Sequence, residues 1–307
     1  MKLDGIHHIT AITADAPGNV DFYARVLGLR LVKKSVNQDD PTVYHLFYAD
    51  EHGSAGSDLT FFEYPGVMRG RAGAGMVHRI VWRVGSEEAL DFWESRLPDE
   101  GVDVERAEGS LRFEDPEGLA YELIVDTSGD DPLIADHPEV PAQFALRGFE
   151  GVHAYSADPG ASHRLLEEAL GFQARDGSWE VRGERRGSRY VYDAPPAEAG
   201  LQGAGTVHHV AWASTPEEHE TWRERVVDGG GRPTPVIDRF YFRSIYFREP
   251  SGVLFEIATL GPGFAVDEEP ERLGEKVALP PFLEHRREEI ERRLKPLPNP
   301  RRAGVRG

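Results

Sequence analysis

A histidine pair recurs in this chain in segments that read as copies of one another. Gly203-Ala-Gly-Thr-Val-His208-His209-Val-Ala-Trp212 repeats an earlier run, Gly73-Ala-Gly-Met-Val-His78-Arg79-Ile-Val-Trp82. A shorter version opens the chain as Gly5-Ile6-His7-His8-Ile9-Thr10, and another reads Gly151-Val152-His153-Ala154-Tyr155. The second histidine of the pair stands in the first and last copies, whereas the middle two carry Arg79 and Ala154 there. Internal repetition fixes architecture before any local assignment. A position that changes from imidazole to guanidinium or methyl between copies is what a duplicated fold shows when only some copies keep a metal ligand. The chain has no cysteine, which excludes thiolate metal sites, disulfides and cysteine nucleophiles together.

The repeated segments must be strands, and each leads into an amphipathic helix with apolar residues at helical spacing. The expected helices cover residues 16–27 (Asp15 as N-cap, Gly28 as stop), 86–97, 161–170 (stopped by Gly171), and 216–229 after a Ser214/Thr215 cap. Three strands are expected after each helix. The fourth copy shows them best, at 234–241, 243–247 and 253–259, with a tight Glu249-Pro-Ser-Gly252 turn. The second copy repeats that ending over 111–124, the first offers 44–49 and 59–63, and the third offers 179–182 and 188–192. Glycine-rich joins at 65–75 and 195–205 each follow a first copy, so the chain divides into similar halves. The expected domains are 1–126 and 148–264, with an Asp/Pro-rich linker at 127–147 and a tail at 265–307. The tail carries a charged helix near 281–294, read as a packing element or a cap on a homo-oligomer.

At 307 residues the chain is long for one core and comfortable for two domains. No run approaches the roughly 20 apolar residues of a membrane span, and no basic-then-apolar leader precedes Asp4, so the expected location is cytoplasmic. The net charge of −18 argues against nucleic-acid or anionic-membrane partners, because phosphate contacts need a basic face. Lysines are few (Lys2, Lys33, Lys34, Lys276, Lys295) and arginine supplies nearly all the positive charge. An acidic surface poor in lysine suits high salt, and stability lost at low salt would mark a halophilic source.

The four-copy βαβββ pattern resembles the vicinal oxygen chelate superfamily of glyoxalases, extradiol ring-cleaving dioxygenases and bleomycin- and fosfomycin-resistance proteins. The likeness covers about residues 4–264. It implies an α+β fold of four βαβββ modules in two tandem domains, followed by the helical tail. In that fold paired modules curl into a cup, with metal ligands on the first and last strands. The run from Ile237 through Arg239, Tyr246 and Gly252 to Glu256, and the opening Gly5-Ile-His-His-Ile-Thr10, look like the hydroquinone-type ring-cleaving dioxygenases.

Pairing the first copy with the fourth supplies His8, His209 and Glu256 from matched strand positions, the two imidazoles and one carboxylate that a non-heme Fe(II) oxygenase needs. Pairing the second with the third supplies Arg79, Ala154 and Glu122, which cannot hold a metal well. Glu63 would add a fourth ligand as in glyoxalase I. Aligned on the preceding glycines, however, Thr60 and not Glu63 matches Glu256, and strand alternation turns Glu63 away. By resemblance, Arg239 and Tyr246 contact the substrate oxygen or support the intermediates, and His7, Thr10 and His208 surround the ligands. Regular strands would face His7 and His208 away from the metal. The implied reaction opens a dihydroxylated aromatic ring, hydroquinone-type before catechol-type, with O2 and Fe(II), Mn(II) being the other candidate ion. Two rival readings remain: a metal-dependent glyoxalase-type isomerase or lyase without oxygen uptake, and a resistance-type small-molecule binding protein without metal.

Overall fold

The computed structural model describes residues 1–297, so the end of the expected tail, 298–307, lies outside the described residues. Each module has the expected order. The first comprises β1 (Ile6–Thr13), a helical segment Ala16–Val20 widening to π-type turns over Asp21–Val26, β2 (Arg30–Val36), β3 (Tyr44–Ala49) and β4 (Asp58–Glu63). The second comprises β5 (Val77–Val84), helix Glu87–Asp99, β6 (Val104–Ala107), β7 (Ser110–Glu114) and β8 (Ala120–Val125). The third comprises β9 (Phe149–Tyr155), short turns at Pro159–Ser162 and Arg164–Ala169, β10 (Gln173–Arg175), β11 (Ser178–Arg182) and β12 (Gly187–Asp193). The fourth comprises β13 (Val207–Ser214), helix His219–Asp228, β14 (Ile237–Asp238), β15 (Arg243–Arg248) and β16 (Leu254–Thr259).

The strands form two eight-stranded sheets, ordered β14-β15-β16-β13-β1-β4-β3-β2 and β10-β11-β12-β9-β5-β8-β7-β6. Each cup therefore joins modules from opposite halves of the chain, first with fourth and second with third. Within a module the first and last strands run parallel, as β1 with β4 and β13 with β16. The modules meet through their first strands, antiparallel, as β1 with β13 and β5 with β9.

Alternation along β13 shows how the layers arise. Val210 and Trp212 point into the main core, which also holds Trp82, Trp93 and Trp222, while Ala211 points into the first cup with Phe47, Tyr241 and Phe242. Burying one tryptophan at about 25 cal/mol/Å² over roughly 150–250 Å² contributes about 4–6 kcal/mol, so these side chains anchor the helices to the sheets. The tail packs on the first cup. Lys33 of β2 is fully buried and donates to the Phe264 carbonyl at 3.0 Å, to Asp267 at 2.7 Å and to Glu268, which ties the chain after β16 to the opposite edge of the sheet.

Local sequence readings differ from the structure where tertiary contacts override them. The fourth helix starts at His219, not at Pro216, and the tail helix is a 3₁₀ turn, Pro281–Arg286, followed by Arg287–Arg293. The predicted strand at 234–241 shrinks to Ile237–Asp238, because Phe240 enters the left-handed region at φ 71° and turns the chain. Asp15 makes no capping hydrogen bond; the Glu63 carboxylate accepts from the Ala16 amide instead, at 3.1 Å.

Candidate metal centre

His8 on β1, His209 on β13 and Glu256 on β16 meet on the concave face of the first cup. His8 Nε2 and His209 Nε2 lie 3.3 Å apart, and they stand 3.2 Å and 2.9 Å from Glu256 Oε2. All three side chains are almost wholly buried. Among the described residues the two imidazoles are the partners of the Glu256 carboxylate, and neither contact is a well-aligned hydrogen bond. A buried carboxylate satisfied only by such contacts is costly, and it calls for an explanation, an ion among them. Donor atoms about 3 Å apart, all facing one point, have the spacing of neighbouring ligands on a first-row metal. Burial acts against charge here, but the two imidazoles hold the Glu256 carboxyl well below its ordinary range. His8 is raised by Glu256 against the pull of burial, while burial keeps His209 lowered.

The rings of His8 and His209 are held from behind. His7 Nδ1 lies 2.9 Å from His8 Nδ1, and His208 Nδ1 lies 2.8 Å from His209 Nδ1. This corrects the expectation from regular strands, and the cause is local. The β1–β13 ladder pairs Ile6 with Trp212 and then His8 with Ala211, skipping His7; it pairs Thr10 with His209 and then Ala11 with Val207, skipping His208. Both histidines are the extra residues of β-bulges, which re-aim side chains beside functional sites. Burial pushes His7 down to about 3, so it is a neutral acceptor for the His8 N–H, and it also hydrogen-bonds the Thr259 backbone.

Register identifies the position that matches Glu256 on the other side of the cup. Glu256 pairs with Ala211, two residues after His209, and Thr60 pairs with Thr10, two residues after His8. Thr60 therefore holds the place equivalent to Glu256, and its hydroxyl donates to Thr10 at 2.8 Å. Thr10 Oγ1 in turn lies 2.9 Å from His209 Nε2. Glu63 is bound to the helix end at Ala16, away from the cup.

Arg239, in the turn before β15, sets its Nε 3.3 Å from the Tyr246 hydroxyl and its two Nη atoms 3.2 and 3.1 Å from the Asp39 oxygens. Tyr246 is the cross-strand partner of Glu256. Burial raises its phenol above the usual value. The cleft in front of the histidines is walled by Phe47, Phe62, Tyr241 and Phe242, with Asn37 and Gln38 at its mouth. Sequence reasoning missed His45 and Phe242. His45 bonds Thr60 at 3.0 Å and stacks on Phe47; Phe242 packs at 5.0 Å from the His8 ring. Phe242 lies inside the run that carried the resemblance, whereas nothing in the sequence set His45 apart.

The second cup has the same bulges with different residues. Its ladder skips His78 and Glu150, as the first skips His208 and His7. The Gly148 carbonyl accepts from Arg83 as the Gly5 carbonyl accepts from Ala213. Gly148, not Gly151, is thus the counterpart of Gly5, which corrects the alignment of the third copy. Gly151 occupies the place of His8, and Arg79 and Glu122 occupy those of His209 and Glu256. Arg79 and Arg112 close on Glu122 at 2.8 and 3.1 Å, so ion pairs fill the place where His8, His209 and Glu256 converge in the first cup.

The sequence model of the glyoxalase/bleomycin resistance protein/dioxygenase superfamily matches residues 5–123 and 149–257. The chain is 40% identical over 97% of its length to MhqA of Bacillus subtilis (strain 168), all of which is covered and which is provisionally named a ring-cleaving dioxygenase. It is 33% identical to the chlorohydroquinone/hydroquinone 1,2-dioxygenase of Sphingobium indicum, covering 95% of this chain and 96% of that one. A B. subtilis crystal structure, provisionally named a dioxygenase, superposes with a TM-score of 0.90 at 39% identity, covering 97% of this chain and 98% of that one. Glyoxalase I from Zea mays, with a TM-score of 0.57 at 15% identity over 83% of this chain and 92% of that one, shares the fold.

Proposed function

The chain belongs to the glyoxalase/bleomycin resistance protein/dioxygenase superfamily, and we propose that within it the protein is a non-heme Fe(II)-dependent dioxygenase that opens a dihydroxylated aromatic ring with O2. The observation that carries this is the buried Glu256 carboxylate brought within 3.2 and 2.9 Å of the Nε2 atoms of His8 and His209. Two imidazoles and one carboxylate suit Fe(II), with Mn(II) as the alternative ion, and would leave coordination positions open. When bound, the metal supplies the Lewis acidity that ionises a substrate hydroxyl and the redox chemistry that engages O2.

The protein's own groups do the rest. The Arg239 guanidinium offsets the negative charge of an ionised ring hydroxyl, and the Tyr246 hydroxyl donates a hydrogen bond to the same region. Asp39 holds Arg239 in place. Thr10 accepts from Thr60 and lies 2.9 Å from His209 Nε2, which helps hold that ring in place. The walls of Phe47, Phe62 and Phe242 bind the ring and exclude water, which strengthens each of these interactions. Similarity to a chlorohydroquinone/hydroquinone 1,2-dioxygenase favours para-diols over catechols. Thr60 in the place of a fourth ligand supports the three-ligand oxygenase over a glyoxalase-type isomerase.

The test is anaerobic loading with Fe(II) followed by O2 uptake with hydroquinone and catechol in parallel. Oxygen consumption with a ring-opened chromophore is expected with hydroquinone; tightly bound metal without uptake on either diol would favour the isomerase. His209→Ala is expected to abolish iron retention. Arg239→Ala is expected to keep the iron and lower kcat by about 100- to 1,000-fold, an effect of the size seen when a charge-stabilising donor is removed. Full activity of His209→Ala would sink the proposed triad.

A further inference from the structure

The second cup lost the ligand positions of the first but gained a different cluster. We propose that His78, His153 and Asp193 form a second divalent-metal site, at positions that hold no ligand in the first cup. These residues come from three neighbouring strands, β5, β9 and β12. His78 Nε2 and His153 Nδ1 each lie 2.8 Å from the same oxygen, Asp193 Oδ2. Ligands bound at about 2.0–2.1 Å sit roughly 3 Å from one another, so these atoms need shift only slightly to share an ion. The first cup shows the same compact spacing around Glu256 Oε2.

By register, His78 corresponds to His208, His153 to Thr10 and Asp193 to Phe62. The site is thus new in the second cup and not a relic of the duplication. The bulge that skips His78 in the ladder frees its ring to turn toward β9, and stacking on Tyr155 at 3.9 Å with parallel planes fixes that orientation. The nearby cation Arg79 is committed to Glu122 and does not claim Asp193. Two imidazoles and one carboxylate select ions such as Zn(II), Co(II) or Fe(II) over Mg(II) and Ca(II), which prefer all-oxygen sites. Unlike the buried first triad, this one is partly open, with side-chain exposures of 9% for His78, 22% for His153 and 38% for Asp193. Water or a small ligand can complete the coordination sphere.

The experiment is a Co(II) titration of the full, metal-stripped chain, followed by visible absorption and by metal content after gel filtration. Wild type is expected to bind two equivalents, Asp193→Ala one, His209→Ala one, and the double variant none. His153→Gln, at a half-exposed position, removes one donor without opening the core; it is expected to weaken the second equivalent by more than about 100-fold, beyond the cost of losing an outer partner. Loss of Co(II) by Asp193→Ala alone, with His209→Ala unchanged from wild type, would support this site and overturn the triad of the first cup. A stoichiometry that neither Asp193→Ala nor His153→Gln alters would overturn this proposal and leave the three residues as a hydrogen-bonded cluster.

Discussion

His7 and His208 meet His8 and His209 through Nδ1, at 2.9 and 2.8 Å, and so decide which ring nitrogen is left to face the centre of the cup. Removing that support frees the His8 ring to rotate and leaves its Nδ1 unpaired. His7→Phe is therefore expected to weaken metal binding by about 10- to 100-fold without unfolding the protein, and His7→Gln, which can still accept, is expected to recover part of it. A chelator competition followed by metal content would read both; unchanged retention in His7→Phe would refute the supporting role. The side-chain chemistry of this site was visible in the sequence, since His8, His209 and Glu256 could be named from repeats and resemblance. The orientation of His7 and His208 was not visible. Strict alternation along a strand sends them away, and only the ladder reveals the bulges that bring them back.

At the scale of the element, the βαβββ order, the Gly252 and Gly118 turns and the pairing of first and last strands all follow from periodicity and turn chemistry. The third copy is where this fails. Gly151-Val-His153 imitates Gly5-Ile-His7 in type, but the strand begins at Phe149 and the true counterpart is Gly148. A short motif fixes register only to within a few residues, while hydrogen bonds to the neighbouring strand fix it outright. The register also yields an expectation for β4. Because Thr60 faces Thr10 as Glu256 faces Ala211, Thr60→Glu would place a second carboxylate at the centre. Tighter metal binding with loss of oxygen uptake is the expected outcome, since the added ligand occupies a position that substrate or O2 needs. Oxygen-electrode traces beside a metal titration would check it; undiminished uptake would mean that Thr60 does not face the metal.

For the molecule as a whole, the linker between the halves is a structural joint. Asp130 takes Arg83 at 2.8 Å, Arg182 at 2.7 Å and the Gly187 amide at 3.2 Å, fastening the linker to the second sheet. Burial works to raise its carboxyl, but hydrogen bonds from Arg182 and Arg83 outweigh that and depress it. A carboxylate depressed on folding contributes stability that is present above the unfolded value, about 3.9, and lost as pH falls through the folded one. Asp130→Ala is expected to cost about 3 kcal/mol at pH 7, the scale of a broken buried pair, and the gap from wild type should narrow below about pH 4. Thermal unfolding at pH 7 and pH 2.5 would show it, and an equal gap at both would argue against the ion pairs. The acidic charge was legible from composition, but nothing in composition tells which Asp is buried under arginines.

The first sheet joins the first and last modules, and its two histidines stand 201 residues apart in sequence. During synthesis, His8 leaves the ribosome long before the strand bearing Glu256 exists. The second and third modules, lying between them in the chain, can close their own sheet while the first waits unpaired. A product interrupted anywhere before β16 lacks Glu256 and so carries at most part of the proposed ligand set. If the proposed site holds a redox-active metal, the order of translation keeps that metal out of unfinished protein.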